Sequence, residues 1–551
     1  MKFAAYCGIC ILLSAIAVKG ILTMQQIEAV VAKVNDLQDG EKRQVSVGDT
    51  DVLLIRVNGN FHALGAFCTH YQAPLAEGVL SGNNIVCPWH NAYFNITTGD
   101  QQEPPGLDSL ACYQVRIEGE NVIVSVPEKA SGLRIPAMAS YNPNVDSRTF
   151  VILGAGAAGA HAAETLRTAG YQGRILMITR EDQLPYDRTV LSKDYFNGDV
   201  PKEQVPLRPP EFYKQHDIEV WLNKQATSVD SKAKKITFED GETLSYDALL
   251  LATGGKPKQL DVEGADLENV FTLRSFADSD RIIASAQQAK QAVVIGSSFI
   301  GMETASGLTQ LGVKVTVISP DSLPFKKILG EEIGQLFKQV HQENGVSFQF
   351  GRKVTQLIGN GKVEAVILDN NQRLEADIVV VGIGVQPVTQ ILSGVDLHPK
   401  DKSILVDEYL RAADQLYAAG DIARFPGDRT GEKIRVEHWR IAAQQGRIAA
   451  YNMLGKAIKF KTVPVFWTMQ FDFPLRYVGH AEEWDEIIID GDLQKREFIV
   501  FYIKDNQVLA AATSQRDTET AAITELMRLN KMPNPELLRQ GNFDLIKHLH
   551  P

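Results

Sequence analysis

The chain carries the stretch Phe150-Val151-Ile152-Leu153-Gly154-Ala155-Gly156-Ala157-Ala158-Gly159, and this stretch decides the fold class. Its four apolar residues predict a buried strand, and the residues after Gly159 predict a helix. In the G-x-G-x-x-G pattern between them, the first glycine allows a tight turn, the second lets the backbone approach a pyrophosphate, and the third lets helix and strand pack closely. The helix N-terminus also favours phosphate. We therefore predict a βαβ unit that binds a dinucleotide through Gly154, Gly156 and Gly159.

A second copy of this arrangement follows about 140 residues later, where the strand Ala292-Val293-Val294-Ile295 leads into Gly296-Ser297-Ser298-Phe299-Ile300-Gly301. Ser298 replaces the middle glycine, which weakens the motif, but the βαβ context supports it. From Thr149 onward, apolar strands alternate with helical patterns, as in parallel sheets with crossover helices. Two such units predict two nucleotides, or a tandem duplication with a separate use for each copy. Gly296 and Gly301 are the predicted contacts of the second site.

Length and composition limit the function classes. At about 150 residues per domain, 551 residues predict three or four domains. The chain is 44% hydrophobic and 22% charged, which excludes chain-wide disorder and a multi-span membrane protein. The net charge of 56 − 67 = −11 argues against nucleic acid as the main partner. Five cysteines in a chain of this length do not form a disulfide scaffold.

The first residues form an apolar run from Phe3 to Val18. The run is shorter than the roughly 20 residues of a spanning helix and suits the core of a signal peptide. Extended to Leu22, it predicts a marginal membrane anchor through residues 3–22. It contains no arginine, unlike a mitochondrial presequence. The alternative is an upstream extension, with Met24 as a more compact start.

Two short motifs in the next hundred residues combine cysteine with histidine: Cys68-Thr69-His70 and Cys87-Pro88-Trp89-His90. Two thiolates and two imidazoles could bind zinc, although zinc sites usually pair cysteine with cysteine. One cysteine and one histidine per motif fits a [2Fe–2S] cluster better. One iron would then bind Cys68 and Cys87, and the other would bind His70 and His90.

Residues 26–127 resemble a Rieske domain in these two motifs and in a further set of positions. That set is Gly78, Phe94, Thr98-Gly99 and Pro104-Pro105. Respiratory Rieske domains add a cysteine to each loop and carry hydroxyl residues where this chain has Ala92 and Phe94. Hydroxyl donors to the sulfurs raise the potential. The departures therefore predict a cluster near the low end of the Rieske range, about −150 mV.

Several motifs beyond residue 148 resemble FAD-dependent ferredoxin reductases and apoptosis-inducing factor. They occur in the family's order, through about residue 545. The motifs are Leu184-Pro185-Tyr186-Asp187-Arg188, Leu191-Ser192-Lys193, Ala252-Thr253-Gly254-Gly255, Tyr417-Ala418-Ala419-Gly420-Asp421, Glu437-His438-Trp439 and Phe466-Trp467. The resemblance implies bound FAD and a glutathione-reductase-like fold.

The resemblance also implies roles for single residues. Arg188 meets the FAD phosphates and Asp421 binds the ribityl chain. Lys193 reaches the N5 edge of the flavin and pairs with Glu303, so these two are the predicted catalytic residues. A buried lysine needs such a carboxylate, because its pKa otherwise falls. The remaining predicted FAD contacts are Glu181, Thr253, Gly254, His438 and Trp467.

The second nucleotide is predicted to be NADH or NADPH, with a preference for NADH. An acidic residue is expected after the strand Val315-Thr316-Val317-Ile318, but Ser319 occupies that position and Asp321 follows. An NADP site would place an arginine there, and none is present.

We predict a multidomain chain with a small all-β Rieske domain, an α/β flavoprotein with two dinucleotide-binding domains, and an α+β C-terminal domain. The predicted boundaries are 1–23 for the leader or anchor, 24–127 for the Rieske domain, 128–147 for a linker, 148–275 and 401–460 for the two parts of the FAD domain, 276–400 for the NAD(P) domain and 461–551 for the C-terminal domain.

The predicted function is an NAD(P)H oxidoreductase that passes electrons through FAD to the Rieske cluster and on to an unknown protein or small-molecule acceptor. Such cofactors predict an intracellular location, cytoplasmic or mitochondrial. One alternative is a redox-sensing or apoptosis-related scaffold with slow turnover, which the weakened Ser298 motif favours. Another is the reductase component of a separate oxygenase.

Overall fold

The computed structural model describes residues 25–427, 431–541 and 543–549. The predicted leader or anchor, with Cys7 and Cys10, lies outside the described residues. By their contacts the residues form two units. Of the described residues, the first comprises 25–87, Tyr93–Gln102 and Gly106–Ile135, and the second comprises Pro88–Ala92, Glu103–Pro105 and those from Pro136 onward.

The described residues before 136 are built from short strands and two single-turn helices, Val34–Asp36 and Leu75–Glu77. The strands are β1 Gln26–Lys33, β2 Lys42–Val47, β3 Thr50–Val57, β4 Asn60–Gly65, β5 Val79–Ser81, β6 Asn84–Val86, β7 Tyr93–Asn95, β8 Gln101–Glu103, β9 Ser109–Leu110, β10 Cys112–Glu118, β11 Asn121–Pro127 and β12 Leu133–Arg134.

These strands form an antiparallel six-stranded sheet in the order β1-β11-β10-β4-β3-β2, a four-stranded sheet β5-β6-β7-β8, and a pair β9-β12. Alternating residues of the large sheet face its core, where Val52, Leu54, Val122 and Val124 are fully buried. The predicted all-β domain is confirmed by this architecture. The strand β12 lies inside the predicted linker.

The remaining residues alternate strands and helices before ending in an antiparallel sheet. The elements are β13 Thr149–Leu153, α1 Ala157–Thr168, β14 Arg174–Ile178, α2 Pro210–Gln215, β15 Ile218–Trp221, β16 Ala226–Asp230, β17 Lys235–Phe238, β18 Thr243–Ser245, β19 Ala248–Leu251, β20 Gly255–Pro257, β21 Val270–Phe271, α3 Phe276–Ala286, β22 Gln291–Ile295, α4 Phe299–Gln310, β23 Lys314–Ser319, α5 Lys326–Glu343, β24 Ser347–Phe350, β25 Val354–Ile358, β26 Ala365–Leu368, β27 Arg373–Glu375, β28 Ile378–Val381, β29 Val385–Pro387, β30 Leu392–Ser393, β31 Ile404–Leu405, β32 Arg411–Ala413, β33 Leu416–Ala418, β34 Ala423–Pro426, β35 Lys433–Ile434, α6 Trp439–Met453, β36 Val465–Gln470, β37 Phe473–Gly479, β38 Glu486–Asp492, β39 Glu497–Lys504, β40 Gln507–Ser514, α7 Asp517–Arg528, α8 Pro535–Arg539 and α9 Leu545–Leu549, with single-turn helices Arg188–Ser192 and Lys202–Gln204.

Two parallel sheets carry the dinucleotide motifs. The first has the order β15-β14-β13-β19-β33-β32, and its strand β33 comes from the region after residue 400. The second has the order β21-β28-β22-β23-β24. In each sheet the glycine motif follows a central strand whose apolar side chains are buried on both faces, β13 and β22. Continuous apolar strands of this kind are typical of parallel sheets covered by helices.

The C-terminal residues form an antiparallel sheet, β36-β37-β40-β39-β38, with the helices α7 to α9. Its buried residues Phe473, Phe498 and Val500 share one core with Val294 and Met302 of the second parallel sheet and its helix. Among the described residues, no helix is long and apolar enough to cross a membrane.

The residues between Pro136 and Asp146, which fall in the predicted linker, hydrogen-bond to the second unit. The backbone nitrogens of Ala139 and Asn142 donate to the carbonyls of Arg167 and Gln172, and the nitrogen of Tyr141 donates to the Asp217 carboxylate. This part of the predicted linker is therefore held against helix α1 and the amino ends of strands β14 and β15.

Candidate functional site

A cavity of about 1380 Å³ opens at the carboxyl ends of the strands of both parallel sheets. Cavities of this kind form where parallel strands end and loops diverge, and they are the usual place for a nucleotide. The cavity is lined by residues of both glycine motifs, the 188–193 segment and strand β36. It therefore brings together most of the residues that the sequence indicated for FAD and NAD(P)H.

The first glycine motif has the backbone geometry that its pattern predicts. Gly154 has φ +120°, and a Cβ there would lie 2.1 Å from the Ala252 carbonyl oxygen. A Cβ on Gly159 would lie 1.9 Å from the Gly154 oxygen, because helix α1 packs tightly on the turn. A Cβ on Gly156 would instead point into the cavity, where its nearest neighbour is Arg188 Nε at 4.0 Å. The backbone is thus open to a ligand at Gly156.

The second glycine motif keeps this geometry despite Ser298. Gly296 has φ +106°, and Cβ atoms on Gly296 and Gly301 would each meet a backbone oxygen at 2.4 Å. The Ser298 hydroxyl donates to the Gly382 oxygen at 2.7 Å and accepts from the Gly301 nitrogen at 3.3 Å. The serine thus caps helix α4, and its hydroxyl is used within the fold.

Glu181 and Arg188 lie in the cavity as an ion pair. Arg188 Nη2 is 2.6 Å from Glu181 Oε1, and the Tyr186 hydroxyl donates to Glu181 Oε2 at 2.6 Å. Arg188 also donates to the carbonyl oxygen of Arg274 at 3.0 Å. The guanidinium therefore stands beside the open Gly156 backbone, as a group that binds phosphate must.

Asp421 pairs with Arg274, whose Nη2 atom lies 2.7 Å from Asp421 Oδ2. Both residues line the cavity, together with Thr253 and Gly254. Arg274 was missed in the sequence analysis. It lies just before helix α3 and 147 residues from Asp421, so no local motif marks it.

Lys193 and Glu303 form the ion pair that the resemblance implied, with Nζ and Oε2 2.9 Å apart. The Glu303 side chain is 3% exposed and the Lys193 side chain 13%. Lys193 Nζ also donates to the Thr189 carbonyl at 3.0 Å. The two hydrogen bonds hold the largely buried Lys193 ammonium group in one place at the cavity wall.

His438 and Trp467 contribute aromatic surface to the same cavity. The His438 ring packs on Phe466 with ring centroids 4.6 Å apart, and His438 Nδ1 is buried without a hydrogen-bond partner among the described residues. Burial lowers the pKa of His438 to about 4, so the imidazole is neutral at physiological pH. A neutral ring that lines the cavity fits a bound heterocycle.

The predicted cluster ligands Cys68 and Cys87 are both buried and unoxidised. Their thiols interact directly, and this contact, with burial, raises the pKa of Cys68 well above its ordinary value. Two adjacent buried sulfurs are the donor set that one iron of a Rieske cluster requires. His70 is half-buried, and its ring stacks on Tyr71 with centroids 3.9 Å apart. Among the described residues, no three His, Cys, Asp or Glu side chains converge on a single-ion site.

His90 lies in the segment Pro88–Ala92, which belongs by its contacts to the second unit. Its imidazole contacts the Trp467 indole with ring centroids 4.1 Å apart and 39° between the planes. Because Trp467 also lines the cavity, one side chain contacts both the predicted cluster ligand and the predicted flavin site.

Hydrogen bonds hold this segment within the second unit. The buried Arg440 donates to the carbonyl oxygens of Asn91, at 3.0 Å, and Pro104, at 3.2 Å. The Asn91 amide donates to the Thr524 hydroxyl at 2.7 Å, and Arg476 Nε donates to the Trp89 carbonyl at 2.9 Å. These contacts connect residues that are several hundred positions apart, so no local pattern predicts them.

Comparison with known proteins extends this assignment. The family model "Pyridine nucleotide-disulphide oxidoreductase" matches residues 148–446, "Rieske [2Fe-2S] domain" matches residues 28–114, and "Reductase C-terminal" matches residues 465–549. The cavity, the open Gly156 backbone and the paired thiols fit the FAD, NAD(P)H and [2Fe–2S] cluster that these families carry.

Similar proteins cover almost the whole chain. Apoptosis-inducing factor 3 of Homo sapiens is 41% identical over 512 residues, or 91% of this chain and 84% of the human protein. Rhodocoxin reductase of Rhodococcus erythropolis is 31% identical over 72% of this chain and 93% of its own.

Among solved structures, the ferredoxin reductase for the CYP199A2 system of Rhodopseudomonas palustris has a TM-score of 0.70 and 32% identity, covering 73% of this chain and 99% of its own. Putidaredoxin reductase, in its covalent complex with putidaredoxin, has a TM-score of 0.69 and 29% identity, covering 73% of this chain and 98% of the matched chain. These matches confirm the predicted fold class and the predicted oxidoreductase activity. The chain therefore belongs to the apoptosis-inducing factor family of pyridine nucleotide-disulphide oxidoreductases, as an FAD- and NAD(P)H-dependent enzyme that carries a Rieske [2Fe–2S] domain.

Proposed function

We propose that the chain oxidises NADH and delivers the electrons one at a time, through its own Rieske cluster, to a separate one-electron acceptor. The observation that carries this proposal is the position of Trp467, which lines the cavity and contacts the His90 imidazole. His90, a proposed iron ligand, thus contacts an indole that forms part of the cavity wall.

The residues of the cavity have separate tasks in this proposal. FAD bound in the cavity would supply the chemistry that accepts two electrons from NAD(P)H and releases them singly. The Gly156 backbone and Arg188 hold the pyrophosphate, and Asp421 with Arg274 holds the ribityl chain. Lys193, fixed by Glu303, presents a positive charge to the edge of the flavin at which negative charge develops on reduction. The contacting rings of His438 and Phe466, together with Trp467, give the cavity an aromatic wall.

The cluster ligands in this proposal are Cys68 and Cys87 on one iron, and His70 and His90 on the other. The adjacent buried thiols of the cysteines support the first pair. The second pair rests on the resemblance of the two motifs. The iron held by His70 and His90 would then receive electrons through Trp467.

The proposed donor is NADH. Ser319, at the position of the expected acidic residue, is buried and shares a hydrogen bond with Ser297 at 2.9 Å. Asp321 follows, paired with Lys327 at 2.8 Å. A carboxylate at this place opposes the 2′-phosphate of NADPH by charge repulsion. Initial rates with the two nucleotides test the preference, and a higher kcat/KM for NADPH would contradict it.

The scaffold alternative rested on the loss of the middle glycine at Ser298. The Ser298 hydroxyl is taken up by Gly382 and Gly301, which leaves the turn in the geometry of a nucleotide site. We therefore expect fast turnover with NADH, as for an enzyme, and not the slow turnover of a scaffold.

The acceptor is proposed to be a small one-electron carrier protein of the ferredoxin type, because relatives include rhodocoxin, rubredoxin and putidaredoxin reductases. We place the protein inside the cell, cytoplasmic or mitochondrial, where NADH is available. Residues 3–22 are proposed as an attachment to a membrane surface.

Stopped-flow reduction by NADH, followed at flavin and cluster wavelengths and by EPR, tests the electron path. In the wild type, flavin bleaching should precede the appearance of a Rieske EPR signal. Trp467→Leu should leave the first phase nearly unchanged and slow the second. A Cys68→Ser, Cys87→Ser variant is the control without a cluster. A cluster that stays oxidised after complete flavin reduction would rule out the proposed path.

A further inference from the structure

The buried Glu303 carboxylate has more hydrogen-bond donors than its lysine partner alone. Its Oε2 atom accepts from Lys193 Nζ at 2.9 Å and from the Ser192 hydroxyl at 2.5 Å. Its Oε1 atom accepts from the Thr468 hydroxyl at 2.6 Å. Ser192 precedes Lys193 in the chain, whereas Thr468 lies on strand β36, 165 residues away. One donor to this carboxylate therefore comes from the C-terminal domain.

The direction of the Thr468 hydrogen bond is set by Gln470. The Gln470 amide nitrogen donates to Thr468 Oγ1 at 3.1 Å, which leaves the hydroxyl proton for Glu303. Thr468 is 2% exposed and Gln470 is fully buried, so water does not compete for these groups. Successive side chains of a strand point to opposite faces, which lets Trp467 contact His90 while Thr468 contacts Glu303.

Donors to Glu303 determine how its carboxylate is placed against Lys193. A buried ion pair depends on good geometry and on hydrogen bonds that satisfy its remaining lone pairs. The three donors Ser192, Lys193 and Thr468 use both oxygens of the Glu303 carboxylate and hold it in one orientation. Helix α4 has no other charged residue, and strand β36 has none. On the other side, the buried His341 contacts the Met302 carbonyl, and burial lowers its pKa.

We propose that Thr468 is a positioning residue that holds the Glu303 carboxylate in its orientation toward Lys193, so that the C-terminal domain helps to fix the lysine beside the flavin. The inference rests on the proposed function, in which Lys193 lies at the reactive edge of FAD. Thr468 acts through Glu303 and Lys193, without contact to substrate.

The test uses the full-length holoprotein with Thr468→Val, which removes the hydroxyl and keeps the branched shape. We expect a more negative FAD midpoint potential, because a less firmly held Glu303 no longer fixes the lysine at the flavin edge. The limiting rate of flavin reduction by NADH should fall by about threefold to tenfold. The half-saturating NADH concentration should change little. Thr468→Ser should restore both the potential and the rate.

Two controls separate this role from a structural one. Thr513→Val removes a buried hydroxyl from the same sheet, where Thr513 bonds Thr520 at 2.6 Å, and it should cost stability without a shift in potential. In a Lys193→Met background, Thr468→Val should add nothing to either readout. An additive effect would show that Thr468 acts structurally and would overturn the inference.

The remaining outcomes are also decisive. A wild-type potential and rate in Thr468→Val would overturn the inference, provided that Lys193→Met shifts both. If Lys193→Met itself had no effect, the proposed function of the pair would fail first. Should Thr468→Val lose FAD, Ser192→Ala removes the other hydroxyl donor from Glu303, and it must shift the potential in the same direction for the inference to stand.

Discussion

At the scale of single residues, the site is built on charges that the fold keeps in fixed places. Lys193 and Glu303 are 110 positions apart in the chain and 2.9 Å apart in space. Removing one partner of a buried pair is costly because it leaves the other charge without compensation. The two single variants are therefore expected to differ. Removing Glu303 leaves the lysine in the chain, whereas removing Lys193 leaves the flavin edge without a cation.

Lys193→Met should slow flavin reduction by NADH by about tenfold to a hundredfold. This factor is at or below the fall in rate that follows removal of one preorganised hydrogen-bond donor in other enzymes. FAD should remain bound, because its phosphate and ribityl contacts are elsewhere in the cavity. Stopped-flow absorbance gives the rate, and the visible spectrum gives the FAD content. Lys202→Met removes an exposed lysine that pairs with Asp280 and is the matched control. Wild-type kinetics in Lys193→Met would reject its placement at the flavin.

His438 predicts a pH dependence of the apoprotein. Burial lowers its folded-state pKa to about 4, whereas the unfolded value is near 6.5. Between these values the unfolded chain binds more protons, so the free energy of unfolding falls as the pH decreases from 6.5 toward 4. In His438→Gln, the free energy of unfolding should depend less steeply on pH over this range. The slope should be smaller by up to the contribution of one bound proton. Urea unfolding at several pH values measures it, and identical slopes in both proteins would contradict the burial of a neutral imidazole.

At the scale of elements, the loop Pro88–Ala92 depends on helix α6. Arg440 is 2% exposed and donates to the Asn91 and Pro104 carbonyls, while Asn91 adopts φ +56° with its side chain on Thr524. A loop that is held by buried hydrogen bonds keeps its side chains in one arrangement. The helix thus determines whether His90 meets Trp467.

Arg440→Met should therefore affect the cluster and spare the flavin. The variant leaves two buried carbonyls without this donor. Each carbonyl that stays unsatisfied should lower the free energy of unfolding by about 1–3 kcal/mol. We expect a lower Tm, faster amide exchange in residues 88–92 and slower cluster reduction, with unchanged flavin bleaching. Arg281→Met, at an exposed arginine paired with Asp278, is the control. Equal cluster reduction in wild type and Arg440→Met would show that the loop position does not limit electron transfer.

At the scale of the whole molecule, NADH oxidation and one-electron delivery are expected to separate along the chain. A protein that begins at Ser147 keeps both glycine motifs and the cavity residues. It should bind FAD and reduce small dyes with NADH, but it should deliver little to a protein acceptor such as cytochrome c. Its Tm should fall, because Arg440 loses its acceptors. The full-length Cys68→Ser, Cys87→Ser variant is the control, because it keeps the Arg440 contacts. If either protein delivered electrons to cytochrome c as fast as the wild type, the cluster would lie outside the electron path.

The extent to which the site could be foreseen differs between its parts. The glycine turns are local, and the φ of +120° at Gly154 follows from a pattern within a few residues. The pairing of Lys193 with Glu303 was accessible only through resemblance to a family. No local motif marks Arg274, which pairs with Asp421. Its position depends on how the segment between strand β21 and helix α3 is placed in the fold. The linker was predicted from its prolines. The strand Leu133–Arg134 within it has no such local signal, since a two-residue pairing depends on its partner strand.

The sequence by itself determined the parallel sheets, the two nucleotide motifs and the cysteine–histidine pairs, because these depend on side-chain period and on short spacings. Only the tertiary structure decided which groups meet across long separations. The Thr468 hydroxyl reaches Glu303 over 165 positions, and Arg440 reaches Asn91 over 349. A contact of this length leaves no periodic or spacing signal in either segment, since each residue is ordinary in its own strand or helix. Packing of the C-terminal sheet and of helix α6 brings these residues together, and that packing links the flavin cavity to the loop of His90.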